Sequence, residues 1–215
     1  MNRNIYNILW FFKTQLGLNP VPIFNSLKYF LRYIKDFIIF KKKFKGKIVI
    51  KPSLQDFKEQ SGKISEYTIQ DLFVAQKIFL NNPKHHVDVG SRVDGFITNI
   101  ATFMNVEIFD IRDLDSFNSS IKFKKLDIFS EIFPKNYTKS LSCLHTIEHF
   151  GLGRYGDQLM HDGLEKGLNK LSSLLKKGGL FYFSTPVGDE RVEFNSNWIF
   201  DLNTIFEISK KITLL

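Results

Sequence analysis

Cysteine is nearly absent from this sequence, and long apolar stretches are missing altogether. Cys143 is the single cysteine among 215 residues, which excludes an intrachain disulfide and most metal sites built from cysteine. No run of about 18 apolar residues occurs, so no segment is predicted to cross a lipid bilayer. A chain without disulfides suits a reducing compartment, and we predict a cytoplasmic location.

Acidic residues are almost missing from the first quarter of the chain. Residues 1–51 hold eleven of the 30 Lys and Arg residues but only Asp36 among the 22 Asp and Glu residues, so this segment carries +10. Residues 52–215 hold 19 basic and 21 acidic side chains and are close to neutral. A nucleic-acid enzyme carries a basic catalytic face, so we predict that nucleic acid is not a partner.

The basic segment also has the apolar pattern of an amphipathic helix. Its apolar residues recur at helical spacing between residues 23 and 43: Phe24, Leu27, Phe30, Leu31, Ile34, Phe37 and Ile38. Two interpretations remain open: a helix at an anionic membrane surface, and a helix packed on the main domain with a solvated basic face. We therefore divide the chain into a basic amphipathic segment, residues 1–51, and a main domain, residues 52–215.

The most informative stretch of the main domain is HHVDVGSRVDGF, residues 85–96. A short apolar strand ends at Gly90, and Gly95 precedes an amphipathic helix. This order is typical of a nucleotide-binding βαβ unit, in which backbone amides at the start of the helix face the ligand. The central glycine of the dinucleotide fingerprint is absent, so a ligand without a pyrophosphate fits better than NAD. Asp88 and Ser91 belong to the same predicted ligand-binding turn.

Later residues alternate strand and helix signals, which predicts an α/β fold with a mostly parallel sheet. Two further predicted strands end in Asp110 and Asp127. Asp110 lies 20 residues after Gly90, where nucleotide-binding folds place the acidic residue that binds ribose hydroxyls. A helix cap or a turn residue explains either aspartate equally well when it is taken alone.

A fourth predicted strand, residues 140–144, runs into HTIEHFGLGRYGD, residues 145–157. In an open sheet of order 3-2-1-4-5, ligands bind beyond the carboxyl ends of strands 1 and 4, so His145 should face Gly90 across the crevice. The block contains three glycines with Arg154 and Tyr155 among them, which predicts a substrate-binding loop.

The residues His145, Glu148 and His149 also match the HxxEH pattern of zinc peptidases. That pattern needs a sustained helix to hold both imidazoles on one face, whereas here a strand precedes it and Gly151 follows closely. We therefore predict no metal site. A glutamate at a helix start and a hydrogen-bonded histidine are the structural alternative.

Beyond this block, an amphipathic helix is predicted over residues 162–177 and a fifth strand over residues 180–184.

Five segments of the chain carry a family resemblance: VDVGSRVDGF, IFDIRDL, SCLHTIEHFGLGRYGD, LKKGGLFYFSTPVG and VEFNSN. Together they resemble a methyltransferase-like family catalogued as a domain of unknown function, within the class I S-adenosylmethionine (SAM) dependent methyltransferases. The resemblance covers residues 67–197 and implies a Rossmann-like, doubly wound sheet of order 3-2-1-4-5. Only four residues follow Lys211, so strands 6 and 7 of that class are predicted to be incomplete.

The resemblance also implies a cofactor, a reaction and the residues that serve them. The cofactor is SAM, and O-methylation of a sugar or surface-glycan precursor is the predicted reaction. The predicted SAM-binding residues are Asp88, Gly90, Ser91, Gly95, Asp110 and Asp127, the last at the adenine amino group.

A hydroxyl acceptor needs a base, and His149, Glu148 or His145 would supply it, while Arg154 and Tyr155 would hold a small-molecule or glycan acceptor. The alternative is a non-catalytic SAM-fold scaffold in membrane-associated glycan assembly. In that case residues 1–51 would contact an anionic surface at the inner face of the membrane.

Overall fold

The computed structural model describes residues 3–18, 21–54, 56–58, 60–115 and 119–213, and the chain forms two compact units. The first unit is Met1–Lys63 and the second is Ile64–Leu215. The division predicted after residue 51, with the roles given to the two segments, stays a prediction.

The first unit holds helices α1 (Arg3–Thr14) and α2 (Val21–Lys43) and a short 3-10 turn (Asp56–Lys58). α2 confirms the helix predicted for residues 23–43. Its apolar residues are largely exposed: Phe24, Leu27, Phe30, Leu31, Ile34 and Ile38. Among the described helices, none combines the length and the apolarity that a bilayer span requires.

The second unit is built on a five-stranded parallel sheet. After α3 (Glu66–Asn81), the strands are β1 (His86–Val89), β2 (Val106–Asp110), β3 (Ile121–Lys125), β4 (Thr138–Leu144) and β5 (Leu175–Ser184). Their spatial order is β3-β2-β1-β4-β5, and all neighbouring pairs are parallel. The predicted α/β fold and the order 3-2-1-4-5 are therefore confirmed.

Both faces of the sheet are covered, as expected for a doubly wound fold. On one face, α3 and α4 (Thr98–Ala101) pack against the strands through residues such as Ile78 and Ile100. On the other face, α5 (Gly163–Leu174) packs through Leu171 and Leu174. All four residues of β1 are buried because this strand lies at the centre of the sheet.

The predicted boundary between α5 and β5 is wrong. The helix ends at Leu174, and residues 176–179 belong to β5 and not to a basic last turn with a glycine cap. Strand pairing explains the difference: Leu175 pairs with Thr138, and an irregularity in the register precedes the pair of Leu180 with Ser140. A long edge strand therefore extends through a sequence whose local pattern favours a helix end.

A small antiparallel hairpin follows the sheet. It consists of β6 (Arg191–Glu193) and β7 (Asn197–Ile199), and α6 (Leu202–Thr213) comes after it. The hairpin forms a separate two-stranded sheet, so within the described residues the main sheet ends with β5. This agrees with the predicted absence of complete strands 6 and 7 from that sheet.

Candidate functional site

The turn after β1 lies directly beside the segment that follows β4. Gly90 has a positive φ of 74°, and its amide donates a hydrogen bond to the Phe109 carbonyl oxygen at 3.0 Å. A Cβ atom at position 90 would lie 2.5 Å from Cγ2 of Thr146, so only glycine fits here. The structure therefore brings the carboxyl ends of strands 1 and 4 together, as their order predicts.

Asp88 and Ser91 stabilise this turn through hydrogen bonds of their side chains. Oδ1 of Asp88 accepts a bond from the Ser91 amide at 2.9 Å, and Oδ2 accepts one from the Ser91 hydroxyl at 2.6 Å. The Ser91 hydroxyl oxygen also accepts a bond from the Leu144 amide at 2.9 Å. Both side chains are buried, so they shape the crevice, and their predicted contact with a cofactor stays a prediction.

A buried polar chain that sequence reasoning missed continues from Asp88 beneath the crevice. Ser142 donates to Oδ2 of Asp88, and Nε2 of His86 lies 2.9 Å from the Ser142 hydroxyl oxygen. Because that hydroxyl gives its proton to Asp88, His86 must donate through Nε2, while Nδ1 faces Ser140 at 2.8 Å. Burial lowers the pKa of His86 to about 3, and burial raises the pKa of Asp88 to about 6.

Helix α3 approaches the turn from the side. Gly95 lies in a π-helical turn (Val93–Ile97), and a Cβ atom there would lie 2.5 Å from Oδ2 of Asp71 on α3. Burial raises the pKa of Asp71. One turn earlier on α3, the centroid of the Tyr67 ring lies 4.5 Å from that of the His145 ring, so α3 contacts both the turn after β1 and the segment after β4.

Asp110 ends β2 at the crevice and is paired with Arg112. Oδ1 of Asp110 accepts bonds from the Arg112 amide at 2.8 Å and from Nε at 3.0 Å, and Oδ2 accepts a bond from Nη2 at 2.6 Å. Nη2 of Arg112 also donates to the Gly90 carbonyl oxygen at 3.2 Å. The structure thus places Asp110 and Gly90 at one crevice, with a guanidinium group that sequence reasoning missed between them.

Asp127 lies just beyond the end of β3. Its Oδ1 accepts a hydrogen bond from the Phe129 amide at 2.9 Å, which makes it a turn residue. The preceding residue, Leu126, donates its amide to the Asp110 carbonyl oxygen at 2.9 Å, so the two aspartates stand at neighbouring strand ends. A contact of Asp127 with adenine stays a prediction.

His145 lies between two oxygen acceptors at the end of β4. Its Nδ1 is 3.2 Å from Oε1 of Glu148, and its Nε2 is 3.0 Å from Oε1 of Gln70. Glu148 is only 2% exposed, and its second oxygen, Oε2, is buried without a hydrogen-bond partner among the described residues. A buried carboxylate oxygen without a partner can accept a proton or a bond from a ligand.

His149 is fixed in one tautomer by the hairpin. Nδ1 of His149 lies 2.8 Å from the Ser196 carbonyl oxygen, so Nδ1 carries the proton and donates. Burial lowers the pKa of His149, which keeps the imidazole neutral and leaves Nε2 as an acceptor. The Ser196 partner lies 47 residues along the chain, and no local pattern in the sequence indicates it.

The loop of residues 151–156, here called the glycine loop, carries Arg154 and Tyr155 next to His149. Nη1 of Arg154 donates to the Ser196 carbonyl oxygen and to Oδ1 of Asn197, both at 3.1 Å. The Tyr155 ring meets the His149 ring edge to face, with centroids 5.4 Å apart. The predicted substrate residues are therefore neighbours of one predicted base, His149.

The predicted catalytic residues do not gather around a metal position. His145 and Glu148 bond to each other, while His149 bonds to the hairpin. The segment is a 3-10 turn (Ile147–His149) and not the sustained helix that the zinc-peptidase pattern needs. In the part of the chain that the structure describes, no three His, Cys, Asp or Glu side chains form a candidate metal site.

Comparison with known proteins gives a family and a fold. A family model described as Caenorhabditis protein of unknown function, DUF268, matches residues 87–205. No curated protein matches the chain by sequence. The crystal structure of the [4+2]-cyclase SpnF is similar, with a TM-score of 0.52 and 15% identity over 72% of this chain and 60% of the cyclase chain. This similarity shows a shared fold.

Two methyltransferase structures are similar at lower scores. A putative sarcosine dimethylglycine methyltransferase from Galdieria sulphuraria has a TM-score of 0.48 and 10% identity, over 67% of this chain and 60% of its own. Haemonchus contortus phosphoethanolamine N-methyltransferase 2, solved with S-adenosyl-L-methionine, has a TM-score of 0.47 and 17% identity, over 67% of this chain and 36% of its own. This chain thus spans less than two thirds of each of these proteins.

Proposed function

Because this chain belongs to the family described as Caenorhabditis protein of unknown function, DUF268, and has a class I methyltransferase fold, we propose that it is a SAM-dependent methyltransferase. One observation carries the proposal: His149 is held as a neutral base at the carboxyl end of β4, in the segment that lies beside the Gly90 turn. This is the position where ligands bind in open α/β sheets.

The residues of the crevice fit SAM. SAM supplies an electrophilic methyl group when it is bound. Gly90 and Gly95 would lie against its amino-acid part, Asp110 would accept bonds from the ribose hydroxyls, and Asp127 would receive the adenine amino group. Asp110 retains acceptor capacity on Oδ2 beside the single bond from Arg112, since a carboxylate oxygen has two lone pairs.

The acceptor in this proposal is a hydroxyl group of a sugar or surface-glycan precursor. A hydroxyl is a poor nucleophile until a base removes its proton, and Nε2 of His149 is the atom that would accept this proton. The proton moves from the hydroxyl to Nε2, and the resulting imidazolium is stabilised by the Ser196 carbonyl oxygen and the charge of Glu148. His145, which lies between Gln70 and Glu148, would orient that carboxylate.

The test is methyl transfer from radiolabelled SAM to a panel of sugars, sugar phosphates and sugar acids. His149→Ala should lower transfer by roughly two to four orders of magnitude, the usual effect of a lost general base, and leave SAM affinity intact. Since the pKa of His149 is lowered, transfer by the unmodified protein should persist as pH falls below 6.5. A His149→Ala protein that transfers methyl groups normally would refute the assignment.

A second candidate is a non-catalytic SAM-fold scaffold in membrane-associated glycan assembly. The observation that favours it is in the first unit, where a helix of the +10 segment exposes its apolar face at residues such as Leu27 and Leu31. Such a helix would place the protein at the inner face of a membrane. Product formation in the transfer assay separates the two candidates.

A further inference from the structure

Arginines are few in the second unit, and two of them converge on one tyrosine. Residues 64–215 contain only Arg92, Arg112, Arg154 and Arg191. The guanidinium carbon of Arg112 lies 4.6 Å from the centroid of the Tyr155 ring, and that of Arg154 lies 5.4 Å from it. One arginine follows β2 and the other follows β4, so the fold and not the local sequence brings them together.

Arg154 differs from the other three arginines in its partners. Arg92, Arg112 and Arg191 each form an ion pair with a carboxylate, from Asp94, Asp110 and Glu193 respectively. The bonds of Arg154 go to neutral acceptors, the Ser196 carbonyl oxygen and the side-chain oxygen of Asn197. Among the described residues, Arg154 forms no ion pair with a carboxylate.

The bonds of Arg154 also determine which part of the guanidinium group faces a ligand. Both bonds use Nη1, so among the described residues the edge formed by Nε and Nη2 has no partner. That edge presents two parallel N–H donors, the geometry that binds phosphate and carboxylate oxygens in pairs. Because the Nη1 side is bonded, the free edge is pre-oriented.

The guanidinium group of Arg154 lies beside the proposed base. Nη1 of Arg154 lies 3.4 Å from Nδ1 of His149, and Tyr155 contacts both side chains. An anion bound to Arg154 therefore places the rest of its molecule beside His149. We infer that the methyl acceptor is anionic, and that Arg154, assisted by Arg112 and Tyr155, binds its phosphate or carboxylate group. This inference rests on the proposed methyl transfer.

Calorimetry with the full chain tests the inference, with inorganic pyrophosphate and glucuronate as separate probes and S-adenosylhomocysteine (SAH) as a third titrant. Arg154→Gln should lower affinity for the preferred anion by about 10- to 100-fold, the effect of losing a charged hydrogen-bond pair, and should leave SAH affinity within about twofold. The matched control is Arg191→Gln, which changes an arginine that has its own carboxylate and should leave all three affinities unchanged.

The outcomes distinguish a failure of the anion site from a failure of the proposed methyl transfer. Tighter binding of pyrophosphate than of glucuronate assigns a phosphorylated acceptor, and the reverse order assigns a carboxylated one. Equal anion binding by the Arg154→Gln and unmodified proteins, with SAH bound by both, overturns the anion site and leaves the proposed function standing. Anion binding that depends on Arg154, in a protein that does not bind SAH, overturns the proposed function alone.

Discussion

At the scale of single residues, β1 contains two buried ionisable side chains with opposite pH responses. His86 has a pKa lowered to about 3, so the stability that its neutral form gives is complete above its ordinary pKa of 6.5 and is lost as pH falls. Asp88 has a pKa raised to about 6, so its charged form costs stability above pH 6, and this cost disappears as pH falls toward 3.8. Between pH 6 and pH 4 the two effects oppose each other.

Replacing either side chain should leave only the other side chain's effect on the pH dependence of stability. From pH 6 to pH 4, the free energy of unfolding of Asp88→Asn should fall by up to about 3 kcal/mol relative to the unmodified protein, and that of His86→Gln should rise by a similar amount, since one pKa unit is about 1.4 kcal/mol. Urea unfolding at several pH values measures both slopes. Slopes of the same sign in the two variants would contradict the assigned protonation states.

Asp110 is the residue through which cofactor binding is best tested. Asp110→Asn should weaken SAH binding by about 1 to 3 kcal/mol, because a charged acceptor of the ribose hydroxyls becomes a neutral one. The control is Asp113→Asn, three residues further along the chain, which removes an exposed carboxylate paired with Lys125. Equal losses in both variants would show a general charge effect in place of a ribose contact.

The sequence was sufficient to predict the positions of Gly90, Asp110 and His149 at the crevice but not their partners. Gly90 and Asp110 were predicted from strand, turn and spacing signals, which are local. The Arg112 guanidinium at Asp110 and the Ser196 carbonyl oxygen at His149 depend on how a loop turns back and where a distant hairpin packs. Such contacts arise from tertiary structure, so spacing along the chain carries no signal for them.

At the scale of elements, the junction of the glycine loop with α5 depends on two glycines in contact. A Cβ atom at Gly151 would meet the Met160 carbonyl oxygen and would lie 2.8 Å from Cα of Gly163. Alternating strand and helix signals predicted a parallel sheet, but they gave no sign of this contact. They also misplaced the start of β5, because pairing with Thr138 outweighs the local glycine and lysine pattern.

Two glycine variants separate steric from conformational cost at this junction. Gly151 and Gly156 share a positive φ, 75° and 82°, but a Cβ atom at Gly156 has nothing within 4 Å. Gly156→Ala should cost about 1 to 2 kcal/mol of stability, and Gly151→Ala should cost at least about 1 to 3 kcal/mol more through overpacking. Thermal and urea unfolding compare them, and equal costs would exclude a steric role for the contact.

At the scale of the whole molecule, the charge is concentrated in the first unit. The helix α2 exposes apolar residues at positions 24, 27, 31, 34 and 38, with Lys28, Arg32 and Lys35 beside them. An apolar face with basic edges is typical of a helix that lies in a membrane interface. Self-association through this face would bring like charges together, so an anionic surface is the better complement.

The full chain should therefore bind vesicles that contain phosphatidylserine more tightly than neutral vesicles, and salt should weaken the binding. Replacing Lys28, Arg32 and Lys35 of α2 by Gln should cost up to about 1 kcal/mol of binding free energy for each residue. The control replaces three exposed lysines of the second unit, Lys122, Lys176 and Lys177. Vesicle sedimentation that is indifferent to anionic lipid, to salt and to the α2 changes would refute membrane association.

The measurement that tests the central proposal most directly is calorimetric titration of the full chain with SAM and, separately, with NAD. The missing central glycine after Gly90 and the position of Asp110 favour a ligand with a free ribose and no pyrophosphate. The predicted result is saturable binding of SAM, with NAD bound more weakly or not at all. Binding of NAD as tight as that of SAM, or no binding of SAM, would contradict the account.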